Sequence, residues 1–181
     1  MTPAHGQLDP RIVPTRVADL PFLRRMLYEA AYWRDDPQRP PLDDALAVPE
    51  VAVYLEGWGR PGDVGLVAHV AAGPAGAVWV RRFDRHQHGY GYLDAHTPEL
   101  TLAVAQPYRR QGIGGQLVAR LLADPRLRGT SRVSLSVEAD NPAVTLYEHA
   151  GFEVVEEDGG AMTMVRGLGD DRYCPARPTR S

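Results

Sequence analysis

The sequence predicts a mixed α/β fold in a single domain, and three observations carry that prediction. Strand-type and helix-type patterns alternate along the 181 residues rather than segregating. "RVSLSVEA" alternates cleanly, with Val133, Leu135, Val137 and Ala139 on one side and Arg132, Ser134, Ser136 and Glu138 on the other. "ELTLAVA" is apolar on both sides, as a covered central strand is. It runs through a glycine-rich turn into a helical stripe of Ile113, Leu117, Val118, Leu121 and Leu122. The length suits one domain with a sizeable core.

Each element follows from its local pattern. "RIVPTRV" reads as a short strand, and Asp19 stands where it can cap a helix with apolar positions Leu20, Leu23, Leu27, Ala30 and Ala31. "RDDPQRPPLDD" breaks that helix, and "ALAVPEVAVYLEGWG" is a second, shorter helical region ended by Gly57 and Gly59. "DVGLVAHVA" and "AGAVWVRRF" form a hairpin across "AGPAG", and "RHQHGYGYLDAHTP" is a loop. After the central strand, its helix and "RVSLSVEA", "NPAVTLYEHAG" is a short helix with both ends spelled out. "FEVVEE" and "AMTMVRGL" close the domain as a hairpin across "DGG". The order is β-α-α-β-β-β-α-β-α-β-β, over residues 9–168, with Pro-rich polar tails at 1–8 and 169–181.

Composition removes several function classes. A formal net charge of −3 gives no general attraction to nucleic acid or to an anionic membrane. No apolar run is long enough to span a bilayer, and the first residues lack the basic-then-apolar build of a secretory signal. The single cysteine, Cys174, has no internal partner, so a reducing cytoplasm is the expected location. Arginine is plentiful and lysine absent, a bias without functional weight.

The chemistry concentrates at "YRRQGIGGQLV". Glycine at the start of a helix costs about 1 kcal/mol per residue relative to alanine, yet Gly112, Gly114 and Gly115 all stand there. The pattern has two explanations, a sharp packing turn or an anion cradle. In a cradle, free N–H groups and the positive end of the helix dipole converge where missing Cβ atoms let a phosphate approach. Arg109 and Arg110 add donors at the rim. The spacing excludes a P-loop, since Gly115 is followed by Gln116 and Leu117. It also excludes the dinucleotide fingerprint, since Leu117 occupies the place of its third small residue.

The second informative block obeys helix-end rules. Asn141 is a good N-cap, Pro142 suits the first helical position, and Gly151 suits the left-handed residue after the last turn. Phe152 is then positioned to touch Tyr147 across the helix end. On these grounds alone Tyr147 is a core tyrosine on an apolar stripe.

Arg109-Arg110-Gln111-Gly112-Ile113-Gly114 matches an Arg/Gln-x-x-Gly-x-Gly/Ala signature, and here the chain resembles the GNAT superfamily of acetyl-CoA-dependent N-acetyltransferases. "ELTLAVAQPYRRQGIGGQLV" resembles its central strand, pyrophosphate loop and helix, and "SLSVEADNPAVTLYEHAGFEVV" its second block. "VPTRVADLPFLRRML" is similar to its opening strand and helix, so the likeness spans Arg11 to Leu168. The resemblance implies a mostly antiparallel mixed sheet of six to seven strands flanked by about four helices. It implies acetyl-CoA as acyl donor with no metal and direct attack by a primary amine; a small-molecule amine, an amino-acid or antibiotic amine, and a protein N-terminus or lysine all stay open as acceptor, the near-neutral charge favouring a small molecule. Backbone groups of Leu102, Ala103 and Val104 would pair with the pantetheine amides. Arg109, Arg110, Gln111, Gly112, Ile113, Gly114 and Gly115 would hold the pyrophosphate, with Asn141 contributing to coenzyme binding. Tyr147 would be the general acid for the leaving thiolate, and the Val104 N–H would stabilise the oxyanion. Glu99 is the first candidate for general base, with a solvated strand-start glutamate as its other reading, followed by Glu138; His96 and His69 lack any positioning signal, and backbone carbonyls with water are the alternative to a single base. A non-catalytic acyl-CoA-binding module and a transferase using a longer acyl-CoA are the alternatives. Homodimers are common in the family.

The remaining signals weigh less. His86 and His88 lack further metal ligands at sensible spacing. Trp33, Trp58, Trp79, Tyr28, Tyr32 and Tyr54 are candidates for a substrate cleft, Trp79 reading rather as core. Arg81, Arg82 and Arg85 read as a basic patch or simply a solvated face.

Overall fold

A computed structural model describes residues 9–169, which contain seven strands and five helices. The expected tails and Cys174 lie outside the described residues, apart from Gly169. The strands are β1 (Arg11–Pro14), β2 (Val64–Val70), β3 (Gly73–Arg81), β4 (Glu99–Val104), β5 (Arg132–Glu138), β6 (Glu153–Asp158) and β7 (Ala161–Gly167). The helices are α1 (Leu20–Ala31), α2 (Leu42–Ala47), α3 (Pro49–Ala52), α4 (Ile113–Leu122) and α5 (Ala143–His149). All strands form one sheet in the order β1-β2-β3-β4-β5-β7-β6. Every neighbouring pair is antiparallel except β4 and β5, which α4 joins as a parallel crossover.

Apolar helix faces cover both sides of the sheet. On one side Ile113, Leu117, Val118 and Leu121 of α4 pack with Leu66, Val78, Leu100, Val133 and Leu135. On the other, Leu23 and Leu27 of α1 pack with Val67, Ala77, Trp79 and Ala103. Strand alternation therefore puts Leu100, Leu102 and Val104 toward α4 and α5, and Glu99, Thr101 and Ala103 toward α1.

Local departures from the sequence reading have local causes. The first strand ends at Pro14, and Val17 belongs to a 3-10 turn. The Asp19 carboxylate accepts from the Arg16 N–H at 2.7 Å, so it caps that turn and makes no side-chain cap to α1. The buried stripe of α1 runs through Phe22, Leu23, Met26 and Leu27, which rotates it away from Ala31. The second helical region splits at Val48, which is extended because Pro49 follows it. The first hairpin turns tightly, since β3 starts at Gly73 inside the expected loop.

Candidate active site

The parallel pair β4 and β5 is joined at its start and open beyond it. Glu99 is in register with Ser134, and the Ser134 N–H donates to the Pro98 carbonyl at 3.0 Å. No later pair of the two strands is in register. The gap belongs to a cleft of about 1290 Å³ that takes its walls from both faces of the sheet: Leu102, Leu146 and Tyr147 on one, Glu99, Thr101 and Tyr54 on the other.

Backbone alternation decides which groups of β4 face the gap. The Pro98 carbonyl points at β5, while the Ala105 N–H donates to Ala75 beside β3 at 2.8 Å. Leu102 and Val104 thus present their main-chain groups to the gap, and Ala103 presents its own to β3. This corrects the expectation for Ala103, whose backbone is used by the sheet. The Val104 carbonyl is also taken, since it accepts from Arg109 Nε at 2.9 Å.

The glycine turn forms a concave run of backbone at the head of α4. Arg110 has φ 60° and Gly112 φ 81°, left-handed residues on either side of Gln111. The first amide of the turn to find a helical partner is that of Gln116, which donates to the Gly112 carbonyl at 3.2 Å. The amides of Ile113, Gly114 and Gly115 precede it and remain available. The three glycines have different reasons to be bare. A Cβ on Gly114 would lie 2.9 Å from Leu146 Cδ1, so that glycine lets α4 approach α5. A Cβ on Gly115 would meet no protein atom within 4 Å, so the open side of the turn is there. The Ile113 side chain is buried in the core, and only its amide is offered to the turn.

The two rim arginines also differ. Arg109 is committed, with Nη2 2.6 Å from Glu29 Oε2 besides its bond to Val104. Arg110 is exposed and has no side-chain partner among the described residues. Gln111 folds back on the loop and donates from Nε2 to the Pro107 carbonyl at 2.9 Å.

Across the gap, α5 ends as its sequence foretold. Asn141 Oδ1 accepts from the Ala143 N–H at 2.9 Å. The Phe152 N–H donates to the Tyr147 carbonyl, the Gly151 N–H to that of Glu148, and Gly151 has φ 80°. Phe152 meets the Tyr147 ring edge-on at 5.9 Å. Tyr147 is buried, which pushes its phenol well above its ordinary range. Its hydroxyl has no hydrogen-bond partner among the described residues, although the side chain lines the cleft.

Glu99 is not a solvated carboxylate at a strand start. It is 2% exposed, and Oε1 accepts from Tyr54 Oη at 2.5 Å and from the Gly91 N–H at 2.9 Å. Oε2 has no protein partner. Burial dominates and pushes the carboxyl up to about 7, against the opposing effect of the two donors. The Tyr54 phenol is raised too, first by burial and then by the Glu99 charge. In the sequence Tyr54 reads only as a cleft aromatic, and "GYG" is part of a loop without a functional signal. That loop supplies the Gly91 N–H to Glu99 and the Tyr90 N–H to Tyr54 Oη at 2.8 Å. Gly91 is required there, since a Cβ would sit 2.6 Å from the Leu135 carbonyl carbon.

The other candidates separate clearly. Glu138 lines the cleft but accepts from Trp33 Nε1 at 2.8 Å and pairs with Arg34, which also grips Asp140 at 2.8 Å. His69 is on β2, His96 in an exposed turn, and neither lines the cleft. Trp33, Tyr32 and Tyr54 line it, while Trp79 is core and Trp58 packs edge-on against Trp79. Arg81 is no surface patch. It is fully buried, bonds both carboxylate oxygens of Asp63, and donates to the carbonyls of Val53 and Glu56. That holds the segment carrying Tyr54. Among the described residues no group of three or more His, Cys, Asp or Glu is arranged to hold a metal ion. None of their helices is long and apolar enough to cross a membrane.

Comparison with known proteins identifies the family: a model of the acetyltransferase (GNAT) domain matches residues 61–154. The chain belongs to the GNAT acetyltransferase family. That match runs from just before β2 to the start of β6, so it contains the open pair, the glycine turn and α5. The chain is 34% identical over 107 residues to mycothiol acetyltransferase of Corynebacterium aurimucosum, covering 55% of this chain and 33% of that protein. It is 31% identical over 112 residues to acetyltransferase SG1711 of Sodalis glossinidius, covering 61% and 70%. The chain spans a third or less of the mycothiol acetyltransferases it matches. Among solved structures, a GNAT superfamily phosphinothricin acetyltransferase of Sinorhizobium meliloti, in complex with acetyl-CoA, superposes with a TM-score of 0.65. It is 17% identical and covers 95% of this chain and 94% of that one. The GNAT fold is thus common to both, with its seven-stranded mixed sheet.

Proposed function

We propose that this GNAT domain transfers an acetyl group from acetyl-CoA to a primary amine by direct attack. The observation that carries the reading is the cleft through the sheet, which has Tyr147 on one face and Glu99 on the other. A phosphate-bearing acyl donor fits the α4 face. There the available amides, Gly115 and the unpaired Arg110 favour the pyrophosphate, and Leu102 offers its main-chain groups to an extended amide arm. With the donor on that face, the amine reaches the thioester from the α1 face.

The roles follow from protonation states. An amine arrives as an ammonium and attacks only after losing a proton. Glu99, raised to about 7, is poised to accept it. The carboxylate is enclosed, so the proton travels through Tyr54 Oη, which already donates to Glu99, or through water. The thioester oxygen gains negative charge in the transition state, and the Val104 N–H faces the gap where that charge develops. The departing thiolate takes a proton from Tyr147, whose phenol is kept neutral by burial. Positioning two reactants in one channel accounts for most of the acceleration.

The names of the matched relatives, both acetyltransferases, support the same class. The test is titration with acetyl-CoA, followed by a thiol-release assay over a panel of amines. Saturable binding with amine-dependent thiol release is expected. Binding without release from any amine favours a non-catalytic acyl-CoA-binding module, and preference for a longer thioester reassigns the donor. Absence of both binding and release refutes the proposal.

A further inference from the structure

The acceptor half of the cleft has a chemical character of its own. Its wall on the α1 face is formed largely by Tyr32, Trp33, Val48, Val51, Tyr54 and Tyr90. Two of these expose apolar surface at the mouth: Tyr90 is 64% and Val48 37% exposed. An aromatic and aliphatic lining of this kind is suited to an apolar body.

The charges at this end that lack an ion-pair partner have one sign. Among the described residues lining the cleft, the cations are Arg34, Arg109 and Arg110. Arg110 belongs to the glycine turn, on the donor side. Arg109 is neutralised by Glu29. Arg34 is the cation at the acceptor rim, and both of its Nη groups are engaged: both Asp140 oxygens accept from it, at 2.8 and 2.9 Å, Glu138 pairs with it, and its guanidinium lies over the Trp33 ring. On the negative side, Glu99 stands at the base of this half. Asp35 lines the rim with no side-chain partner among the described residues. The acceptor end thus attracts an ammonium and offers no free cation to a carboxylate.

We propose that the acceptor is a monoamine with an apolar, preferably aromatic, body and no carboxylate beside the amine, so that free amino acids are rejected. This rests on the N-acetyltransferase reading of the same cleft. Both halves of the proposal come from side chains: the body from the Tyr32, Tyr90 and Val48 wall, and the exclusion from the engagement of Arg34 by Glu138 and Asp140.

The test compares 2-phenylethylamine, L-phenylalaninol and L-phenylalanine as acceptors in a thiol-release assay on the intact protein, with acetyl-CoA binding measured separately by calorimetry. The last two share one skeleton and differ in a hydroxymethyl against a carboxylate, which separates charge from bulk. 2-Phenylethylamine and phenylalaninol are expected within a few-fold of each other. Phenylalanine should be about tenfold or more lower in kcat/KM, mostly through KM, because an unpaired carboxylate meets like charge. Tyr90→Ala keeps the N–H that bonds Tyr54. It should raise the KM for 2-phenylethylamine several-fold and leave acetyl-CoA affinity unchanged. Phenylalanine used as well as phenylalaninol overturns the inference, as does an unmoved KM in Tyr90→Ala. Coenzyme binding with no release from any of the three aromatic amines overturns it as well. No coenzyme binding at all overturns instead the reading on which it rests.

Discussion

Glu99→Gln is predicted to stabilise the protein at alkaline pH while it lowers activity. In the fold the carboxyl is carried from its ordinary 4.5 up to about 7, chiefly by burial. At 1.36 kcal/mol per pH unit, the folded state bears about 3 kcal/mol for holding the carboxylate. The sign follows from proton counting. Below pH 4.5 both folded and unfolded chains are protonated at this site, and it contributes nothing. Between 4.5 and 7 the unfolded chain releases its proton while the folded chain keeps it, so stability falls as pH rises. Above 7 the full cost is present. A glutamine carries no charge at any pH, and its Oε1 still accepts from Tyr54 and Gly91. Melting temperatures of the two proteins should therefore converge near pH 4.5. At pH 8 Glu99→Gln should melt higher, by at most about 6–12 °C for a domain of this size. Differential scanning fluorimetry across pH 4.5–8.5 reads this directly. In parallel, wild-type kcat/KM should rise with pH through about 7, and that limb should vanish in the variant. A stability difference that is independent of pH, or one favouring glutamate at pH 8, refutes the burial argument.

Three further outcomes follow from the same geometry. Tyr147→Phe removes a hydroxyl without a protein partner, so the melting temperature should stay within about 2 °C. Turnover should fall about 10²-fold with unchanged acetyl-CoA affinity, and equal turnover would remove Tyr147 from the mechanism. Gly115→Leu introduces side-chain atoms where the protein has none within 4 Å of the new Cβ. It should gain up to about 1 kcal/mol of helix stability and lose at least tenfold in coenzyme affinity by calorimetry, whereas Gly114→Leu should fail first in stability because it strikes Leu146. Arg81→Met leaves Asp63 buried without its partner, at a cost of about 3–5 kcal/mol in urea unfolding. Arg81→Met with Asp63→Leu should recover much of that loss, and an additive double variant would contradict the pairing.

What the sequence disclosed and what it hid divide by distance along the chain. The turn at Gly112 and both ends of α5 were legible because glycine, Asn-Pro and a helix followed by Gly-Phe act within a few residues. The succession of strands along the chain was legible from local apolar patterns and turn residues, but their order in the sheet was not. Arg81 was misread because, beside Arg82 and Arg85, it looks like a solvated run, and its partner Asp63 is 18 residues away. Glu99 was found as a candidate, but its burial was not, since Tyr54 lies 45 residues before it. Arg34 with Asp140, 106 residues apart, left no local trace at all. Ala103 was misassigned for a simpler reason: in a strand only every second residue faces the gap, and the register is needed to say which.

The site and the one parallel pair of the sheet have the same origin. Antiparallel neighbours linked by tight turns stay paired along their length, as β2 and β3 do over seven residue pairs, with a single register shift between Ala68 and His69. β4 and β5 are linked instead through α4, which packs on one face of the sheet, and they stay together only at Glu99 and Ser134. Beyond that point the main-chain groups of Leu102 and the Val104 N–H have no strand to bond, and leaving such groups without a partner is costly. On the proposed function, an extended amide-bearing donor would relieve that cost by pairing between the strands as a partial strand of its own. The same separation opens a path from α5 to α1, so Tyr147 and Glu99 address one channel from opposite faces without touching. A variant that restored pairing between β4 and β5 would on this argument gain stability and lose the reaction together.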